Sequence, residues 1–131
     1  MRAIAKRENG AFKHRIEMRH HRITADEPVE DGGNDEGPSP QDLLAGSLAS
    51  CTAITIEMYA KRKGWDIGEV AVDVDYEPAQ RGSPTKFTMK VLLPKELPEE
   101  QRERLMQIAA KCPVHRTLEG EVMFDESVEL V

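Results

Sequence analysis

The sequence has no basic surplus. Its 18 Lys and Arg are outnumbered by 24 Asp and Glu, giving a net charge of -6, which disfavours a binding mode that draws its affinity from counterion release on nucleic acid. No nucleic-acid partner is expected. No run reaches the roughly 18 uncharged apolar residues of a membrane-crossing helix. Arg2, Lys6 and Arg7 stand where a secretory leader would carry its apolar stretch. The expectation is a cytoplasmic protein with no membrane partner. Cysteine is scarce: Cys51 and Cys112 are the only two, and in a reducing compartment such a pair reads as buried thiols, metal ligands or redox groups rather than as a permanent structural disulfide. Internal repeats, low-complexity tracts and a glycine-rich phosphate loop are all missing.

What remains is 39% hydrophobic and 32% charged over 131 residues. That is too apolar for general disorder and too polar for a membrane protein, so one soluble globular domain spanning 1–131 is expected. Charge is segregated along it: residues 1 to 22 hold seven Lys or Arg and two acids, and residues 26 to 42 hold seven acids and no base. Phe12, His14, Ile16, Met18, His20 and Arg22 alternate with Lys13, Arg15, Glu17, Arg19 and His21, the pattern of one half-buried strand whose neighbouring histidines point to opposite faces. Asn9-Gly10 before it suggests a hairpin closed by a tight turn. Residues 26 to 39, with three Gly and two Pro among six acids, read as a long mobile surface loop whose acids form a solvated margin.

Ser39-Pro40-Gln41-Asp42 supplies a cap residue, a proline at the first helical position and an acid three residues after the cap. A helix should open there and run to about Lys63, stopped by Gly64. On it Leu44, Ser47, Leu48, Cys51, Ile54, Thr55 and Met58 fall near one line, an apolar stripe around Cys51. Val70, Val72, Val74 and Tyr76, then Phe87, Met89, Val91 and Leu93, predict a second hairpin with its turn at Arg81-Gly82-Ser83-Pro84. Pro98-Glu99-Glu100 opens a second helix whose Gln101, Leu105, Ile108, Ala109 and Cys112 share a face, and Val122, Phe124, Val128 and Leu130 predict a last strand. This order makes an α+β fold with mainly antiparallel pairing.

The two cysteines differ in setting. Pro113 disfavours helical backbone at Cys112, so the helix should break there and a short new turn should begin at Pro113. Cys112 then occupies the cap, where the N–H of Val114 or His115 favours its thiolate. Cys51 lies three turns inside its helix, where burial alone raises a thiol pKa, so reactivity requires a cationic partner and a lowered pKa. Each cysteine could equally be a small core residue. Cys112-x-x-His115 has ligand-like spacing, but only Cys51 could add a third ligand, so no metal is expected. His115 is read either as a hydrogen-bonding neighbour of Cys112 or as a plain capping residue.

The segments GPSPQDLLAGSLASCTA, Gly37 to Ala53, and CPVHRTLEG, Cys112 to Gly120, resemble the osmotically inducible protein C and organic hydroperoxide resistance family. That resemblance implies antiparallel sheets wrapped around long central helices in an intertwined homodimer. It implies a thiol peroxidase without metal or flavin, defending against oxidative stress: Cys51 attacks an organic hydroperoxide and becomes a sulfenic acid, and Cys112 condenses with it to a disulfide. An external thiol, a lipoyl group carried on a protein or another dithiol, would reopen that disulfide. The apolar stripe, with Leu44, Leu48 and Met58, would then receive the alkyl part of the substrate. In the hydroperoxide-resistance branch a Glu after the motif proline pairs with an Arg at the thiolate; here Gln41 stands there, followed by Asp42, and Arg7 or alternatively Arg22 would be the arginine. The competing expectation is a family member that binds a small molecule or senses redox state with little or no peroxidase activity.

Overall fold

Alternating apolar and charged residues near the N-terminus form a three-stranded antiparallel sheet, β1 (Ile4–Arg7), β2 (His14–Met18) and β3 (His21–Ala25), in that order. The computed structural model describes residues 1–131, and this sheet belongs to the first of two compact units, Met1–Gly46; the second is Ser47–Val131. The hairpin expected around Asn9-Gly10 is present, with Ile4 opposite Glu17 and Arg7 opposite His14. Its connection is wider than a two-residue turn and is closed by the Glu8 N–H on the Lys13 carbonyl at 2.9 Å.

The single strand expected over Phe12 to Arg22 is in fact two. Arg19 takes a left-handed backbone, φ 55°, β2 ends at Met18, and β3 returns with Met18 opposite His21 and Glu17 opposite Arg22. Left-handed turns are usually marked by Gly, Asn or Asp, and arginine there leaves no such mark in the sequence. Directly opposed residues share a sheet face. Arg7, His14 and Ala25 therefore lie on one face with Ala5, Ile16 and Ile23, whereas Arg22 lies on the other with Lys6, Arg15 and Glu17. The reversal also brings the His20 and His21 rings, expected on opposite faces, to 4.0 Å between centroids.

Residues 26 to 39 hold a single 3-10 turn, Val29–Asp31, and Glu30, Asp31, Asp35 and Glu36 are exposed as expected of a solvated margin, but Asp26 departs from it. Asp26 is 1% exposed and its carboxylate organises the segment. Its Oδ1 accepts from the Glu27 N–H at 2.8 Å, and its Oδ2 accepts from the Glu36 and Asn34 N–H groups at 3.1 and 3.3 Å. At Gly33 an added Cβ would stand 2.0 Å from the Glu27 carbonyl oxygen, so only glycine allows the chain to close on itself there.

The capping residues behave as expected. The Asp42 N–H donates to Ser39 Oγ at 3.1 Å and the Ser39 N–H donates to Asp42 Oδ2 at 2.9 Å, a reciprocal capping box. From it α1 runs Pro40–Lys63 and stops at Gly64, φ 71°, where the Trp65 N–H closes on the Ala60 carbonyl at 2.9 Å.

In the second unit, Ile56, Tyr59 and Ala60 of α1 form a core with Ile67 and with Leu105, Ile108 and Ala109 of α2 (Glu99–Ala109). β4 (Ala71–Glu77) and β5 (Lys86–Leu92) pair antiparallel, with Val72 opposite Val91, Val74 opposite Met89, and Tyr76 stacked on Phe87 at 4.8 Å. A short α3 (Pro113–Glu119) follows. The expected last strand does not form: residues 121 to 131 have no regular structure, and Val122, Phe124, Val128 and Leu130 are exposed. Alternation prepares a strand, but a neighbouring edge must accept its hydrogen bonds. The fold is α+β with antiparallel pairing.

Candidate active site

The break between α2 and α3 builds the site. Cys112 is held extended before Pro113, φ -62° and ψ 143°, as the proline ring demands, and its side chain turns back to cap α3. Cys112 Sγ accepts the His115 N–H at 3.3 Å, and Cys112 is 0% exposed. The His115 imidazole meets the Glu119 carboxylate one turn on, so the residue serves Cys112 through its backbone. Beside the sulfur lies Thr52, also fully buried; its hydroxyl donates to the Leu48 carbonyl at 2.8 Å and its Oγ1 is 3.7 Å from Cys112 Sγ.

Cys51 is half-buried and, like Cys112, a free thiol. Burial pushes the Cys51 thiol above its ordinary value, and Cys112 pushes it further as hydrogen-bond partner and as a neighbouring charge. The Val114 N–H and the Thr55 hydroxyl pull the other way without reversing the direction. This corrects the expectation of a lowered Cys51 pKa. The reason is physical: the groups acting on Cys51 include hydrogen-bond donors but no cation, and neutral donors do not outweigh desolvation here. The two sulfurs are nonetheless neighbours. Successive amides of one turn serve them, Val114 for Cys51 and His115 for Cys112.

The other expected site residues are distributed more widely. Arg7 is exposed, and its guanidinium donates to the Gly10 carbonyl at 2.9 Å. Arg22, expected on the apolar side of its strand, is exposed on the charged face opposite Glu17. Gln41 is exposed in the first turn of α1, and Asp42 holds the Ser39 cap. Leu44 is half-buried, Leu48 is 1% exposed and Met58 is 68% exposed, so the three do not make one apolar wall. The buried line of α1 runs through Leu48, Thr52, Ile56 and Tyr59, rotated from the expected stripe, and Ile54 and Met58 face outward. A helix with apolar residues on most sides does not declare which side packs. No three His, Cys, Asp or Glu side chains converge as metal ligands.

Sequence reasoning missed Thr52; it placed Thr55 on the Cys51 stripe without a role, and it expected the Val114 or His115 amide at Cys112, whereas Val114 acts on Cys51. The available signal was Thr52 and Thr55, polar groups one and four residues after a helical cysteine.

The family model described as OsmC-like protein matches residues 32–127. An uncharacterized protein of Haloferax volcanii is 24% identical over 100 residues, which are 75% of this chain and 76% of its own length. A solved protein of Psychrobacter arcticus 273-4, described as an osmotic stress induced and detoxification response protein, is similar with TM-score 0.74 at 26% identity, over 88% of this chain and 85% of that one. The organic hydroperoxide resistance protein OhrB of Bacillus subtilis matches with TM-score 0.61 at 21% identity, over 91% of this chain and 90% of its own; that likeness bears on the fold alone.

Proposed function

Because this chain belongs to the OsmC-like protein family, we propose that it is a cysteine-based peroxidase that reduces organic hydroperoxides in the cytoplasm as a defence against oxidative stress. The observation that carries the reading is the shared turn: Val114 and His115 direct adjacent N–H groups at Cys51 and Cys112. In this mechanism the Cys51 thiolate attacks the distal peroxide oxygen, the O–O bond breaks, an alcohol leaves after taking up a proton, and Cys51 holds a sulfenic acid. Cys112 attacks that sulfur, a disulfide forms and water leaves. An external dithiol, such as a lipoyl group on a protein, returns both cysteines to thiols by exchange.

A thiol raised by burial needs a positive charge to react at neutral pH. Arg7 is the candidate that the family resemblance carries over for this charge, with Arg22 as the alternative. Gln41 takes the place where a carboxylate would steady that arginine; it can accept a hydrogen bond but makes no ion pair. The active form is a homodimer, with the outward Ile54 and Met58 covered by a second copy.

The raised Cys51 thiol favours a second reading, a module that binds a small molecule or senses redox state with little turnover. One experiment separates the two. Reduced protein receives one equivalent of cumene hydroperoxide or hydrogen peroxide, and free thiols and intact mass are followed. Rapid loss of two thiols with a two-proton mass decrease, faster with the organic peroxide and abolished in Cys51→Ser, is the expected result. Thiols that persist through prolonged exposure would leave the binding module in its place.

A further inference from the structure

Thr52 has a use that helix packing does not explain. A buried threonine commonly returns its hydroxyl to the carbonyl four residues back, and the bond to Leu48 at 2.8 Å does this. A hydroxyl, however, has one hydrogen and two lone pairs. With its hydrogen on Leu48, the oxygen still has acceptor capacity, and Cys112 Sγ lies 3.7 Å away on a segment sixty residues later in the chain. Both side chains are fully buried, so no water competes at that contact. The contact can run either way: the Thr52 hydroxyl donates to the Cys112 sulfur or, with its hydrogen on Leu48, accepts the Cys112 S–H, while the His115 N–H donates to the sulfur. Cys51 is a third partner of this sulfur; Thr52 and the His115 N–H are the two that take no part in the disulfide.

We propose that Thr52 is the positioning residue of the resolving thiol, accepting the Cys112 S–H before the disulfide closes and turning its own hydrogen onto the sulfur as that proton leaves. The rotation leaves no backbone group unpaired, because the Leu48 carbonyl still receives the helical N–H of Thr52. It replaces a weak bond from a neutral S–H by a charge-assisted bond to a thiolate, so it favours the state that attacks. Resting on the peroxidase reading, the step is Cys51–S–OH plus H–S–Cys112 giving Cys51–S–S–Cys112 plus water. The S–S bond forms from a Cys112 lone pair, the S–O bond breaks, and the thiol proton ends on the departing water. Thr55 stands to Cys51 in a similar relation, its hydroxyl favouring that thiolate.

The test does not need peroxide. Ellman's reagent loads the more accessible Cys51 as a mixed disulfide, and attack by Cys112 then expels a second thionitrobenzoate, with Cys51–S–S–Cys112 as the other product. Cys112→Ser, releasing one equivalent only, marks that second phase. Thr52→Val, which keeps the shape and removes the hydroxyl, should slow the second phase about tenfold, the effect of losing one hydrogen bond to a charged group, and move its pH profile to higher pH. Thr52→Ser, which keeps the hydroxyl, should restore the rate and the profile. Wild-type kinetics in Thr52→Val at every pH would overturn the proposal, as would Ser and Val variants that are equally slow. Absence of sulfenic acid with cumene hydroperoxide would defeat the peroxidase reading alone, since thionitrobenzoate release reports on Thr52 independently.

Discussion

A thiol in the middle of a helix finds its own helix's amides already bonded, and Cys51 obtains a donor from elsewhere, the Val114 N–H. That donor is insufficient: burial leads the causes and the thiol ends raised. Thiolate is the reactive form, so a raised pKa places alkylation of Cys51 at higher pH, and a cation brought to it moves the profile down. In a Cys112→Ser background, where only Cys51 reacts, Arg7→Ala is expected to shift the alkylation midpoint to higher pH and Arg22→Ala to leave it in place. Equal shifts, or none, in iodoacetamide rates across the pH range would remove Arg7 from the mechanism.

Among the elements, the turn from β3 into α1 is built by two local devices. The reciprocal bonds of Ser39 and Asp42 start α1 and contribute about 1 kcal/mol. Asp26 organises the segment before them. Burial pushes its carboxyl up, but the N–H groups of Glu36, Glu27 and Asn34 and the charge of Lys13 outweigh burial and hold it below the ordinary carboxylate value. On acidification the unfolded chain therefore takes up this proton first, and folding loses a contribution that is complete above the ordinary value and disappears as pH falls through the lowered one. Asp26→Asn, which imitates the protonated side chain, should unfold at a lower temperature than wild type near neutrality, with the gap closing as the pH drops into the acid range. A gap in calorimetric melting temperature that stays constant with pH would show that the carboxylate charge is irrelevant to the turn.

The molecule as a whole carries more apolar surface than its core uses. The most apolar 18-residue window of α1 has mean hydropathy 1.3, yet 28% of it is buried. By length and composition such a helix could cross a membrane, a test that core helices of soluble proteins also pass. Ile54 and Met58 on α1, Met106 on α2, and Val122, Phe124, Val128 and Leu130 near the C-terminus are all exposed. Patches of this kind mark surfaces that meet a partner. Met58→Asp is accordingly expected to convert a dimer into monomer in sedimentation velocity and to lower its stability in a concentration-dependent way. A wild-type protein that sediments as a monomer at all concentrations would end the dimer reading.

By itself the sequence determined the features set by neighbours along the chain: the Ser39 cap, the Gly64 stop, the β4–β5 hairpin and the turn at Pro113 that makes Cys112 a cap. These signals act within about one helical turn or one hairpin, so residue type and spacing suffice to reveal them. The motifs around Cys51 and Cys112 likewise carried the family. Tertiary structure decided the rest. It covered Thr52, Ile56 and Tyr59 beside Leu48 and left Ile54 and Met58 of the expected stripe outside, because that choice depends on what α2 presents and not on α1's own period. It put Arg22 on the charged face through a reversal at Arg19, buried Asp26 within a loop of acids, and left Val122 to Leu130 without a strand to pair with. It also brought the Thr52 hydroxyl and two backbone amides of the α3 turn to a pair of sulfurs, a juxtaposition of groups distant in sequence that only a folded chain can make.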